Sequence, residues 1–145
     1  MLLELGLAIS IKHPFLAGSV DAVVVKSGHI VRLLEYKCPQ ILSICDPRNF
    51  KKHLTKQQHY YFCLHVVNGE IKLKHEHQYT YQIATYMLVF NVDKCDLVIW
   101  TPVGSLIVEV HKKDIEDICE RILLLESFYY SEFVPEFFTM RTVRD

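Results

Sequence analysis

Residues 20–25 and 30–34 are two runs rich in β-branched side chains, separated by Lys26-Ser27-Gly28-His29, and the second leads straight into Glu35-Tyr36-Lys37. Runs of this kind around a Ser-Gly turn read as a β-hairpin, which commits the chain to a sheet early in its length. Side chains alternate faces along a strand, so Glu35 and Lys37 share one face and the Tyr36 carbonyl lies between them. An acid and an amine at the end of an apolar strand are costly to hide unless they are paired or coordinate a metal.

The turn decides which residue faces Glu35. A three-residue loop, Ser27 to His29, pairs Lys26 with Ile30 and sets Asp21 opposite Glu35 on the same face. A two-residue loop slips the register by one and sets Asp21 opposite Leu34, on the other face. In the first register two carboxylates stand about 5 Å apart at their Cβ atoms and repel, which a divalent cation relieves. Hard oxygen donors suit magnesium or manganese, with Lys37 beside the ion. The alternative is a surface Glu35-Lys37 pair on an edge strand with Asp21 opening a turn, since E-x-K is a common tripeptide.

A chain of 145 residues, half of them hydrophobic, suffices for one domain over residues 1–145 with a substantial core. A formal charge of -1 provides no global field toward nucleic acid, so phosphate binding must come from local patches. With no stretch approaching twenty apolar residues and no signal-peptide pattern, a soluble intracellular protein is expected. Five cysteines without C-x-x-C spacing fit reduced thiols rather than disulfides or zinc. Cys63, Cys95 and Cys119 lie in apolar runs and read as buried. Cys38, next to Lys37, is a candidate nucleophile with no histidine at a recognisable offset. His75-x-His77 has the spacing of a chelate, although at a helix start these are more simply surface residues.

Residues 6–11 read as a first strand ended by Lys12-His13-Pro14, making a meander with the hairpin, and Pro39 closes the third strand. Asp46 as N-cap and Pro47 at the first position start a short helix carrying Arg48, Lys51, Lys52 and Lys56. That helix is a nucleic-acid phosphate patch or a solvated face. Residues 60–66 and 70–74 flank Val67-Asn68-Gly69 as an inserted hairpin beside the core. From His77 to Phe90, Tyr79, Ile83, Tyr86, Met87 and Phe90 recur at helical spacing. Gln82 sits in that stripe and needs partners there, either sheet backbone or the acidic site. Residues 95–100 form a buried strand and residues 106–110 another, across a turn at 101–105. The last helix starts near Asp114, with Ile115, Ile118, Ile122, Leu125, Tyr129 and Phe133 inward, and ends near Pro135. Residues 139–145 read as a polar, frayed tail.

Four motifs occur in order: Leu16-Ala17-Gly18-Ser19-Val20-Asp21, Leu34-Glu35-Tyr36-Lys37-Cys38-Pro39, Tyr79-Thr80-Tyr81-Gln82, and Cys95-Asp96-Leu97-Val98-Ile99-Trp100-Thr101-Pro102. Together with Phe128-Tyr129-Tyr130 they resemble the YqaJ-like viral recombinase / lambda exonuclease family of PD-(D/E)XK nucleases, over roughly residues 14–138. The resemblance implies an α/β fold: a restriction-endonuclease-like mixed sheet flanked by helices. It also implies a magnesium-dependent deoxyribonuclease, a recombination or repair exonuclease hydrolysing phosphodiester bonds. Asp21, Glu35 and the Tyr36 carbonyl would hold Mg2+ or Mn2+, Lys37 would activate water and stabilise phosphate charge, and Gln82 would support the site. Ring-forming relatives make a homo-oligomer conceivable.

The chain departs from the family at Val20 and Ala22, where proline and glycine are usual, and at Ala84, where a second glutamine is usual. Relatives also carry an upstream helix with a further acid, and this chain starts almost at the first strand, with Glu4 too close to it to substitute. The competing expectations are a catalytically inactive nucleic-acid-binding module of the same fold, and a structural or protein-interaction role suggested by the aromatic last helix.

Overall fold

The computed structural model describes residues 1–139. The first hairpin consists of β4 (Ala22–Lys26) and β5 (His29–Lys37), preceded by the short strands β1 (Leu2–Leu3), β2 (Ala8–Ile9) and β3 (Ala17–Gly18). Ser27 at φ 51° and Gly28 at φ 78° form a two-residue turn that pairs Lys26 with His29, not the three-residue loop expected. Positive φ at both positions matches the twist of the flanking strands.

A bulge then reverses the consequence of that shorter turn. Val25 pairs with Ile30 while Val24 pairs with Arg32, so Val31 is the extra residue. From there the register runs Val23 to Leu33 and Ala22 to Leu34. The ladder ends there, one step short of Asp21 and Glu35, in the register expected from a different turn.

β5 continues the sheet in parallel with β8 (Lys94–Thr101), which pairs antiparallel with β9 (Gly104–His111). The result is a mixed five-stranded sheet, order β1-β4-β5-β8-β9. The strand at its β4 edge is not residues 6–11. Leu2 and Leu3 pair with Val24 and Val23, and the Met1 amine donates to the Val25 carbonyl at 2.9 Å. Ala8 and Ile9 instead pair with Gly18 and Ala17, respectively, in a separate ribbon.

Leu33, Cys95, Leu97 and Ile99 project to one face and are fully buried. That face is covered by α3 (Gln78–Phe90), which buries Ile83, Ala84 and Met87 and ends on Asn91 in the left-handed conformation. The opposite face carries Arg32, whose guanidinium bridges Asp96 and Glu109 at 2.6 Å each. Trp100 lies on that face and is 49% exposed, so residues 95–100 are not buried throughout as expected. The β8–β9 turn is tighter than expected, pairing Thr101 with Gly104. The Thr101 hydroxyl donates to the Cys45 carbonyl at 2.9 Å and accepts from the Gly104 amide at 3.2 Å.

The helix expected after Asp46 is two. A 3-10 turn, Pro47–Asn49, leads into α1 (Phe50–His53), and α2 (Lys56–Tyr61) starts afresh after buried Leu54. Thr55 and Gln58 close a capping box on α2. Tyr60 and Tyr61 belong to α2, so the inserted hairpin is β6 (Leu64–Val67) and β7 (Glu70–Leu73) around Asn68-Gly69.

The last helical stretch begins with a 3-10 turn, Lys112–Ile115, and runs through α4 (Glu116–Leu123), α5 (Leu125–Phe128) and a π turn, Tyr129–Phe133, to α6 (Val134–Thr139). Its inward stripe stops early: Ile115, Ile118 and Ile122 are buried, whereas Leu125 and Phe133 are exposed. Pro135 does not end it, because the π turn makes Pro135 part of a new first turn, where a missing N–H is tolerated. Residues 140–145 of the expected tail lie outside the described residues. No described helix is long and apolar enough to cross a membrane.

Candidate active site

β4 begins only at Ala22, so past Leu34 the β4 side of β5 has no strand partner among the described residues. Asp21 fills that gap, its Oδ2 accepting the Tyr36 N–H at 2.7 Å. A strand residue's N–H and C=O leave by the same edge, which directs the Tyr36 carbonyl to the side where Asp21 stands. Asp21 is exposed while Glu35, on the core-facing side of β5, is only 3% exposed.

Glu35 Oε1 accepts from Lys37 Nζ at 2.6 Å and from Gln82 Nε2 at 3.0 Å. Glu35 Oε2 is buried with no hydrogen-bond partner. Burial raises the Glu35 pKa above its ordinary value against the pull of Lys37, and the Asp21 charge adds to the rise. At Lys37 burial acts downward, but the hydrogen bond and charge of Glu35 outweigh it and its pKa is raised. The Lys37 ammonium also lies 4.6 Å from the centre of the Tyr79 ring. Gln82 donates a second hydrogen bond, at 2.7 Å, to the Tyr86 hydroxyl, whose pKa burial raises.

An unpartnered buried carboxylate oxygen carries an uncompensated desolvation cost. A hard divalent cation would offset it, and the donors available here are oxygens of the kind magnesium and manganese take. The side chains of Asp21, Glu35, Lys37 and Gln82 lie together around the Tyr36 backbone. Gln82 bonds the acid rather than sheet backbone. The Glu35-Lys37 pair is part-buried, not the solvated surface pair of the alternative expectation.

The basic residues divide differently. Arg48 folds back on Asp46, donating Nε to Oδ1 at 2.9 Å and pairing Nη2 with Oδ2, and it holds the Asp46 carboxyl down at about 2. Lys51, Lys52 and Lys56 are exposed and make no ion pair among the described residues.

His75 and His77 do not form a chelate. His77 caps α3, its Nδ1 accepting the Tyr79 N–H at 3.1 Å, while His75 Nε2 contacts Asp117 at 3.0 Å. His75, Glu76 and Asp117 do cluster at the surface within 4.8 Å, but Arg121 already binds Glu76 at 3.0 Å and Asp117 at 2.7 Å. All five cysteines are free; burial pushes the Cys63 thiol up to about 11 and raises Cys95 and Cys119. Cys38 is exposed.

Sequence periodicity assigns Tyr79 and Tyr86 to an apolar stripe, yet both reach the site. The Gln82-to-Tyr86 spacing of four on a helix was the available signal for one of them. The ring packs tightly on Gly18, where a Cβ would lie 2.7 Å from Tyr86 Cδ1.

Neither a protein-family model nor a curated protein matches the chain. Among solved structures it is similar to an alkaline exonuclease, LHK-Exo, from Laribacter hongkongensis, with a TM-score of 0.48 and 16% identity. It is likewise similar to the structure of LHK-Exo in complex with dAMP, with a TM-score of 0.49 and 16% identity. In both, 97% of this chain is covered and 64% of the other, so the chain spans less than two thirds of their length.

Proposed function

We propose that this chain carries a metal-dependent DNA nuclease site of the lambda exonuclease type, hydrolysing phosphodiester bonds. The observation that carries the reading is buried Glu35, with one oxygen held by Lys37 and Gln82 and the other without a partner beside Asp21. Asp21, Glu35 and the Tyr36 carbonyl would hold magnesium or manganese. Such an ion, when bound, supplies a coordinated water of lowered pKa and neutralises charge on phosphate oxygens.

The remaining work belongs to the chain's own groups. Gln82 fixes the orientation of Glu35 through Oε1, leaving the buried Oε2 as the oxygen free to ligate. Lys37 places an ammonium next to the acids, where it stabilises negative charge developing on the phosphate. Lys51, Lys52 and Lys56, without an ion pair among the described residues, offer cations for the DNA backbone, with Arg48 held by Asp46.

A second reading is a DNA-binding module without hydrolysis. It draws on the absence of a third histidine, cysteine or acid clustering with Asp21 and Glu35 among the described residues. Incubation with labelled linear duplex DNA in magnesium, manganese or EDTA separates the two. Cleavage in either metal and none in EDTA supports the nuclease. A folded protein that binds DNA salt-sensitively but leaves it intact in both metals supports the module.

A further inference from the structure

We infer that Tyr79 is a positioning residue that holds the Lys37 ammonium over the site, an inference that rests on the nuclease reading above. Lys37 is a flexible four-carbon side chain with only 20% of its surface exposed, and two groups lie directly against its ammonium. One is Glu35 Oε1 at 2.6 Å and the other is the face of the Tyr79 ring, 4.6 Å to its centre. That distance lies inside the range of about 6 Å over which a ring quadrupole attracts a cation.

The ring is itself held. The Tyr79 N–H donates to His77 Nδ1, and the His77 imidazole meets the Tyr79 ring edge-on with centroids 4.6 Å apart. His77 is the N-cap of α3, and the buried Thr80 hydroxyl donates to the Lys74 carbonyl at 2.7 Å one residue further on. The first turn of α3 therefore fixes the ring before any ligand arrives.

This arrangement matters because Glu35 cannot serve a cation and Lys37 equally. When its carboxylate charge is shared with a divalent ion, its pull on the ammonium weakens. The ring's attraction does not depend on Glu35, so Tyr79 keeps Lys37 facing the phosphate position instead of swinging out to solvent. The effect requires an aromatic face and not the phenol hydroxyl.

Tyr79→Phe and Tyr79→Leu distinguish these. With labelled linear duplex DNA in magnesium, kcat should fall roughly threefold to thirtyfold in Tyr79→Leu with KM unchanged, and Tyr79→Phe should stay close to wild type. Wild-type activity in Tyr79→Leu, or an equal loss in Tyr79→Phe, overturns the inference. A second readout is independent of catalysis. The Lys37 side-chain proton resonances should be displaced upfield by the ring in wild type and Tyr79→Phe and return to ordinary values in Tyr79→Leu. If wild type does not cleave DNA, the nuclease reading fails, and these resonances alone decide whether Tyr79 holds Lys37: shifts unchanged in Tyr79→Leu overturn it.

Discussion

Glu35→Gln tests whether the buried carboxylate is built for a cation. The substitution keeps the side-chain volume, retains one carbonyl oxygen for Lys37 and Gln82, and replaces Oε2, the oxygen without a partner, by an amide that cannot ligate. For a ligand that binds only the folded state, stabilisation is RT ln(1 + [L]/Kd), about 1.4 kcal/mol at ten times Kd and about 2.7 kcal/mol at a hundred times. Unfolding entropy near 2.1 cal/mol/K per residue, over 145 residues, gives about 0.3 kcal/mol per degree. Magnesium should therefore raise the wild-type Tm by about 5 °C at ten times Kd and about 9 °C at a hundred times. Glu35→Gln should lose that response, and so should Asp21→Asn, whose amide oxygen can still accept the Tyr36 N–H. Differential scanning fluorimetry across a magnesium titration, against an EDTA baseline, measures it. A wild type indifferent to magnesium and manganese, or the same shift in all three proteins, would refute the reasoning.

Gly18→Ala should cost roughly 1–3 kcal/mol, a Tm drop of roughly 3–10 °C, because its Cβ would enter the Tyr86 ring; thermal unfolding checks it. Replacing Lys51, Lys52 and Lys56 together by Ala should lower the salt slope of DNA binding by about 2 to 3, read from fluorescence anisotropy at several ionic strengths. In EDTA, the raised Glu35 pKa means the unfolded state ionises first as pH rises from the ordinary value of 4.5. Stability from this group should thus be full below 4.5, fall until the folded-state pKa is passed, and then level off, and Glu35→Gln should flatten that segment of a Tm-against-pH series.

What the sequence made legible was local. β-branched runs, the Ser-Gly and Asn-Gly turns and the stripe of α3 placed most strands and the central helix, since each signal lies within a few residues of the element it specifies. The register leading toward Asp21 and Glu35 was anticipated through the wrong turn. Nothing local distinguishes a three-residue loop from a two-residue loop plus a bulge at Val31, and both give the same register beyond it. Leu2 and Leu3 were missed as an edge strand because a two-residue strand has no period, and its pairing with β4 is a long-range choice. The outer half of the last helix keeps its apolar spacing although no described element covers Leu125 or Phe133, so periodicity there did not report burial. In the site, residue types announced Asp21, Glu35 and Lys37. Tyr79 and Tyr86 stayed hidden because an aromatic at helical spacing looks the same whether it packs on the core or faces a charge.

Hydrolysis itself is the most direct measurement: single-turnover cleavage of labelled linear duplex DNA by wild type and Lys37→Ala, in magnesium and in EDTA. Cleavage by wild type only with metal, slowed about 100-fold or more by loss of the ammonium, is the predicted result. A well-folded wild type that leaves the DNA intact in magnesium, or Lys37→Ala cleaving at the wild-type rate, would contradict the assignment of Asp21, Glu35 and Lys37 as a nuclease site.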